Sequence, residues 1–213
     1  GDSRIDLSYE FVDHQRFIDR GIPTGSNGRP IEAFENIVFG DADINTTGLK
    51  AHLWRLGLQH AFSESLKGNV SAFYGDFDKL YQNFYAASYN QAESPDVVTL
   101  DGYVDTTQRK STIISANLIS ESTLGGLNHT LLAGVEFIDT TSDQDRWNTY
   151  WDTTQDDRET FSISRNLGVL GGSGIKALGD LATNRLDQDI KDETRVSIEG
   201  TSFYLQDGLD LAD

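Results

Sequence analysis

Few side chains in this sequence stand where covalent chemistry needs them. Asp76 and Asp78 are two apart, and residues i and i+2 of a strand share one face, so they imitate the paired carboxylates of a glycosidase. Acids are abundant, however, at 34 Asp and Glu against 17 Lys and Arg, and a chance pairing is the plainer reading. His14, His52, His60 and His129 fall on separate segments or eight residues apart, which is no metal-ligand spacing. With no Cys there is no thiolate nucleophile, thiolate metal site or disulfide. No serine sits in a Gly-x-Ser-x-Gly elbow. Asp41-Ala-Asp43-Ile-Asn45 opens like a calcium loop, but the glycine at its sixth place and the closing bidentate Glu are missing, so a polar turn is expected. Gly171-Gly-Ser-Gly174 lacks the preceding strand of a phosphate-cradling turn. The expectation is no enzyme, no metal site and no cofactor.

The elements that would position any site are strands. From His52 to Phe62 one face reads His52, Trp54, Leu56, Leu58, His60, Phe62, and the other Leu53, Arg55, Gly57, Gln59, Ala61. The same period of two runs through 112–120, 129–138 and 201–211, and period two means a sheet with unlike faces. Arg4–Phe17 alternates loosely, and 69–85 is rich in Phe and Tyr. The expected fold is all-β: an antiparallel up-and-down meander of about six long strands, at roughly 4–17, 48–62, 69–86, 107–121, 129–142 and 195–211.

Between them, about 18–47, 87–106 and 143–194 read as long connections, whereas 63–68 and 122–128 read as short ones. Long and short alternate, so the long loops gather at one end of the sheet. That is the pattern of outer-membrane barrels, whose periplasmic turns are short and extracellular loops long. Strands of this length meet the ~9–11 residues needed to cross a bilayer. Trp54, Phe62, Tyr74 and Tyr81 are candidates for the aromatic girdles. Six strands fall short of the about eight needed for closure, and an open sheet would leave backbone groups unpaired in lipid. The expectation is therefore a stretch of a larger barrel. The formal charge of −17 argues against a nucleic-acid partner, which needs a basic footprint.

Several segments resemble one family. These are Asp19-Arg-Gly-Ile-Pro23, Phe39-Gly-Asp41 with Asn45, Tyr74-Gly-Asp-Phe-Asp-Lys-Leu-Tyr-Gln-Asn83, His129-Thr-Leu-Leu-Ala-Gly-Val-Glu136 and Tyr204-Leu-Gln-Asp207. They resemble, in order, the barrel of TonB-dependent siderophore receptors of the ferrichrome type, over roughly 5–145 and 195–213. The resemblance implies that residues 1–213 are part of a plugged barrel of about 22 strands in the bacterial outer membrane, with the plug domain absent from this stretch. It implies as partners a ferric siderophore, the TonB complex acting through an N-terminal segment outside this stretch, the plug of the parent chain, and outer-membrane lipid.

A siderophore arriving from outside would meet the loops and upper lumen. Aromatic rings offer broad contact there and polar groups fix orientation. The candidate ligand-binding residues are Arg146, Trp147, Tyr150 and Trp151 at the start of the fifth loop, with Phe84, Tyr85 and Tyr89 leading into the third. The alternative role for such aromatics is to pack the loops on one another. Arg55, Gln59, Asn117, Glu136 and Gln206 are expected to line the lumen and to face the plug or water. Two rivals stand beside this reading: a secreted, soluble β-sheet carbohydrate-binding module, and a β-rich hydrolase using Asp76 and Asp78. A barrel for another cargo (haem, cobalamin or a glycan) fits the same strands.

Overall fold

The structure of the protein, a computed structural model, describes residues 2–40, 45–149, 151, 154–163 and 190–210. It contains β1 (Ser3–Phe17), β2 (Thr46–Ala61), β3 (Leu66–Tyr89), β4 (Val97–Leu124), β5 (Leu127–Asn148), β6 (Glu159–Ser162) and β7 (Ile190–Asp210), and one 3-10 turn, Glu32–Phe34. All seven strands share one antiparallel sheet in the order β1-β2-β3-β4-β5-β7, with the short β6 continuing alongside β4. The expected meander is present, with β6 added.

Several boundaries differ from expectation: β5 runs on to Asn148 rather than 142 and β7 begins at Ile190 rather than 195, so the fifth connection narrows from 143–194 to 149–189 and Arg146 and Trp147 stand on β5. β3 runs on to Tyr89 and β4 begins at Val97, so the third connection shrinks from about twenty residues to 90–96. The physical reason is that 97–106 has no apolar face exposed to lipid to advertise it as strand. Its outer-face apolar residues are instead covered by loops, and a bulge between Ala86 and Ser88 resets the register. At the other end, Gly125 and Gly126 both take positive φ (62° and 86°), which a two-residue hairpin turn matched to strand twist requires.

The register sorts the side chains cleanly. One row across the sheet reads Ile5, Leu58, Val70, Ala116, Val135, Phe203; the next reads Arg4, Gln59, Asn69, Asn117, Gly134, Tyr204. A one-residue slip would exchange these two sets. The first belongs to a continuous apolar band that leaves Ile5, Leu7 and Phe203 70%, 70% and 81% exposed. Tyr9, Trp54 and Tyr74 close its upper edge in one row, with the Tyr9 and Trp54 rings 4.3 Å apart. Immediately above them the same face turns charged at Asp76 and Lys110. Phe62 marks the opposite edge. Eight residues separate Trp54 from Phe62, about 27 Å along a strand and about 20 Å of height at the ~40° tilt of a barrel wall. Tyr81 is not part of this girdle, because odd-numbered β3 residues face the other way.

The opposite face is the more polar one, although Phe73, Phe77, Ile113 and Ile138 share it. Arg55, Gln59, Asn117, Glu136 and Gln206 all lie on it. Tyr204 lays its ring over Gly134, where any Cβ would collide with it. Its hydroxyl donates to Asn117 Oδ1 at 2.5 Å, and Asn117 Nδ2 donates to Asn69 Oδ1 at 2.9 Å. A polar inner face and an apolar outer band are what a membrane barrel needs.

The buried core sits beyond the band, at the long-loop end. Phe39, Phe84, Val98, Leu100, Val104 and Trp151 form it, flanked by Phe34, Ile37, Leu80, Trp147 and Phe161. Its β3 and β4 members are even-numbered, so the core lies on the outer face, where Phe34, Ile37 and Phe39 of the first connection and Trp151 and Phe161 pack against the wall. Burying each of these side chains contributes roughly 1.5–3 kcal/mol. Asn45, fully buried, ties the first connection down. Its amide donates to the carbonyls of Phe84 (2.9 Å) and Ile18 (3.2 Å), and its Oδ1 accepts from the Phe84 amide (2.9 Å).

Candidate functional site

The inner face at the loop end carries a dense polar-aromatic patch. Period two places Tyr81, Asn83 and Tyr85 of β3 on this face, and opposite them Asp105, Tyr103 and Asp101 of β4. Arg146 of β5 stands directly across from Asp105 and donates to both of its oxygens at 2.6 Å from Nε and Nη2, the bidentate geometry that suits guanidinium to carboxylate. Its guanidinium carbon lies 4.4 Å from the Tyr103 ring centre.

Arg20 arrives from the first connection. Its Nη1 donates to Tyr103 Oη (2.5 Å) and Asn83 Oδ1 (3.3 Å), with Tyr81 Oη at 3.5 Å. Its guanidinium stands 5.2 Å and 5.7 Å from the Tyr85 and Tyr103 ring centres. Burial alone would lower its pKa, but the bonds to Tyr103 and Tyr81 raise it above the ordinary value. Tyr81 and Tyr103 are stacked, with centroids 6.0 Å apart. Arg158, just before β6, donates to Asp101 Oδ2 at 3.0 Å; Tyr85 Oη donates to the same oxygen at 3.4 Å. Burial, then the nearby charge of Asp101, pushes the Asp157 carboxyl above its ordinary range.

What this arrangement offers chemically is a surface of guanidinium and phenol groups. Guanidinium planes over phenol rings give a flat, orientable surface with cation–π character. Asp76 and Asp78 lie on the outer face, with Asp76 4.0 Å from Lys110. His52 bonds Tyr9 (2.8 Å), His60 bonds Ser3 (2.7 Å) and His129 bonds Asp207 (2.8 Å). Among the described residues no three His, Asp or Glu side chains gather to hold a metal. Residues 41–44 and 171–174 lie outside the described residues.

Of the expected ligand-binding residues, Tyr85 and Arg146 meet around Tyr103 on the inner wall. Phe84 and Trp151 pack on each other on the outer face, centroids 4.8 Å apart and both buried. That arrangement fills the loop core and leaves no surface for a ligand. Trp147 packs on the same core. Tyr89 sets its ring against the edge of Phe34 and donates to the Pro95 carbonyl. Tyr150 lies outside the described residues. Arg20, Tyr81, Asn83, Asp101, Tyr103, Asp105 and Arg158 are new members. The alternation of Asp101, Tyr103 and Asp105 was the available signal; Arg20, 83 residues from Tyr103, left none.

No family model matches the sequence, and no curated protein matches it. Solved structures do. The ferric preacinetobactin receptor BauA of Acinetobacter baumannii superposes with a TM-score of 0.67 at 13% identity, over 100% of this chain and 29% of its own. The siderophore receptor PiuA of the same organism gives 0.65 at 18%, over 99% and 31%. The ferric-catecholate import receptor Fiu of Escherichia coli K12 gives 0.67 at 15%, over 99% and 32%. The chain thus spans about a third of the length of these receptors. Its fold is that of a stretch of outer-membrane β-barrel receptor wall. The likeness is to siderophore receptors in general and does not select the ferrichrome branch that the sequence motifs resemble.

Proposed function

We propose that residues 1–213 form one stretch of the barrel wall of a TonB-dependent outer-membrane receptor that imports a ferric siderophore. The observation that carries this is the register. Six long strands hold an apolar band on one face and a more polar face on the other, and the more polar face rises into the Arg–Tyr patch at the loop end. In this reading the patch and a plug elsewhere in the parent protein capture the chelate. Energy then reaches the plug through the TonB complex, and the ligand enters the periplasm with no covalent step.

The soluble carbohydrate-binding alternative is disfavoured by the apolar band, which no second sheet covers among the described residues; a water-soluble sheet would not leave so large a patch bare. The test is uptake of radiolabelled ferric siderophores by iron-starved cells with and without the gene. Loss of uptake of at least one siderophore, restored by the gene but not in a strain lacking TonB, is expected. Unchanged iron uptake, with loss of haem, cobalamin or glycan uptake instead, refutes the iron cargo; no transport change at all refutes the receptor.

A further inference from the structure

Above the aromatic girdle the two faces differ in sign as well as polarity. The outer face bears Asp13, Asp76, Asp78, Asp143, Asp145 and Glu193, with Lys50, Lys110 and Arg195 among them, and Asp139 and Glu199 in the girdle row itself. The inner side carries six cations, Arg16, Arg20, Lys79, Arg109, Arg146 and Arg158, against Glu10, Asp101, Asp105, Asp157 and Asp192, Glu10 being paired with Arg55. Arg146 and Arg158 are neutralised by Asp105 and Asp101. Among the described residues, no carboxylate lies within ion-pair distance of Arg16, Arg20, Lys79 or Arg109. All four are exposed. On the outer face Lys50 also lacks an ion pair among the described residues, but it stands across from Asp13 and Asp78, so in a chain of formal charge −17 the excess of unpaired positive charge lies on the inner side.

These cations are close together. Arg16 shares a row with Thr47, Tyr81 and Asp105. Lys79 and Arg109 lie two and four residues lower on neighbouring strands, about 7 Å and 14 Å down the wall at ~3.4 Å per residue. The Tyr81 and Tyr103 rings lie at the upper edge.

We infer that this wall is selective for a polyanionic ferric chelate bearing aryl groups, with Arg20, Lys79 and Arg109 as its charge contacts and Tyr81 and Tyr103 as its ring contacts. The inference rests on the receptor reading and names the cargo chemistry of its site. Four like charges on one wall repel each other, and a multiply charged anion relieves that repulsion, whereas a neutral chelate does not. Arg146, already saturated by Asp105, is a positioning residue that holds Tyr103.

The test uses the purified full-length gene product in detergent and follows tryptophan fluorescence. Two probes are titrated: a ferric tris-catecholate, which carries three negative charges, and a neutral ferric tris-hydroxamate. The tris-catecholate is expected to bind, and to bind more weakly as salt rises. Replacing Lys79→Gln and Arg109→Gln together should weaken it about tenfold and flatten the salt dependence. Lys110→Gln, on the outer face next to Arg109, should change neither. All three positions are exposed, and an unchanged heat-modifiable gel shift verifies folding. Equal binding of the two probes, an inner pair no different from Lys110→Gln, or binding of neither probe overturns the inference. The uptake assay above decides the receptor reading separately.

Discussion

The assignment of the two faces can be tested at a single peptide bond. Phe203 and Ser202 are neighbours on β7. Phe203 continues the row through Val135, Ala116, Val70 and Leu58, while Ser202 stands opposite Glu136 on the polar face. Leu58 is midway between Trp54 and Phe62, so Phe203 lies about 10 Å from either edge of a band about 20 Å high. An arginine at mid-bilayer on the lipid face costs about 2–4 kcal/mol. Losing the phenylalanine from its apolar setting adds roughly 1.5–3 kcal/mol. Phe203→Arg is thus expected to destabilise by about 3.5–7 kcal/mol. Ser202→Arg, facing Glu136, should cost under about 1 kcal/mol. The assay is urea denaturation of the full-length gene product in lipid vesicles, scored by the fraction that keeps its folded mobility on a gel. Equal costs for the two variants, or a larger cost for Ser202→Arg, would refute the facing of every strand in the sheet.

Other consequences are checked more simply. Gly134→Ala should destabilise by about 1–3 kcal/mol through collision with Tyr204, while Gly200→Ala, with open space around it, should stay within about 0.5 kcal/mol; the same gel assay reads both. Asn45→Ala removes the bonds to Ile18 and Phe84 and leaves buried backbone groups unpaired, at about 1–3 kcal/mol. Its readout is faster proteolysis of residues 18–45 with the strands intact. Because the folded-state pKa of Asp157 is raised, its ionisation opposes folding. Protection of the 149–163 segment should therefore fall as pH rises from about 4, the ordinary carboxylate value, through the folded-state pKa. Asp157→Asn should abolish that slope and increase protection at neutral pH; protease digestion across pH shows whether it does.

The strands were legible because each carries an apolar band on one face and a more polar face on the other, and that contrast imposes a period of two. Where that contrast ends, so does the signal. Residues 97–106 were read as loop because Asp101, Tyr103 and Asp105 alternate with Val98, Leu100 and Val104, which loops cover rather than lipid. Parity would have separated Phe84 from its neighbour Tyr85, since even-numbered β3 residues face out and odd ones face in. Residue type alone could not, because an aromatic ring suits a core and a ligand site equally. Arg20 was out of reach: its partners are fixed by the path of the first connection, and that path depends on Asn45 bonding to Phe84.

The up-and-down order also bears on how the wall is assembled. Each long strand pairs with the preceding long strand, so the sheet can grow hairpin by hairpin as the chain emerges, without waiting for a distant segment. The joints are unequal. Two residues link β4 to β5, whereas 41 residues, 149–189, separate β5 from β7. Closing the longer connection costs about 3 kcal/mol more in chain entropy. The β4–β5 hairpin should therefore form early and β7 dock late, and until it does the free edge of β5 is the place where a chaperone or a second chain can pair.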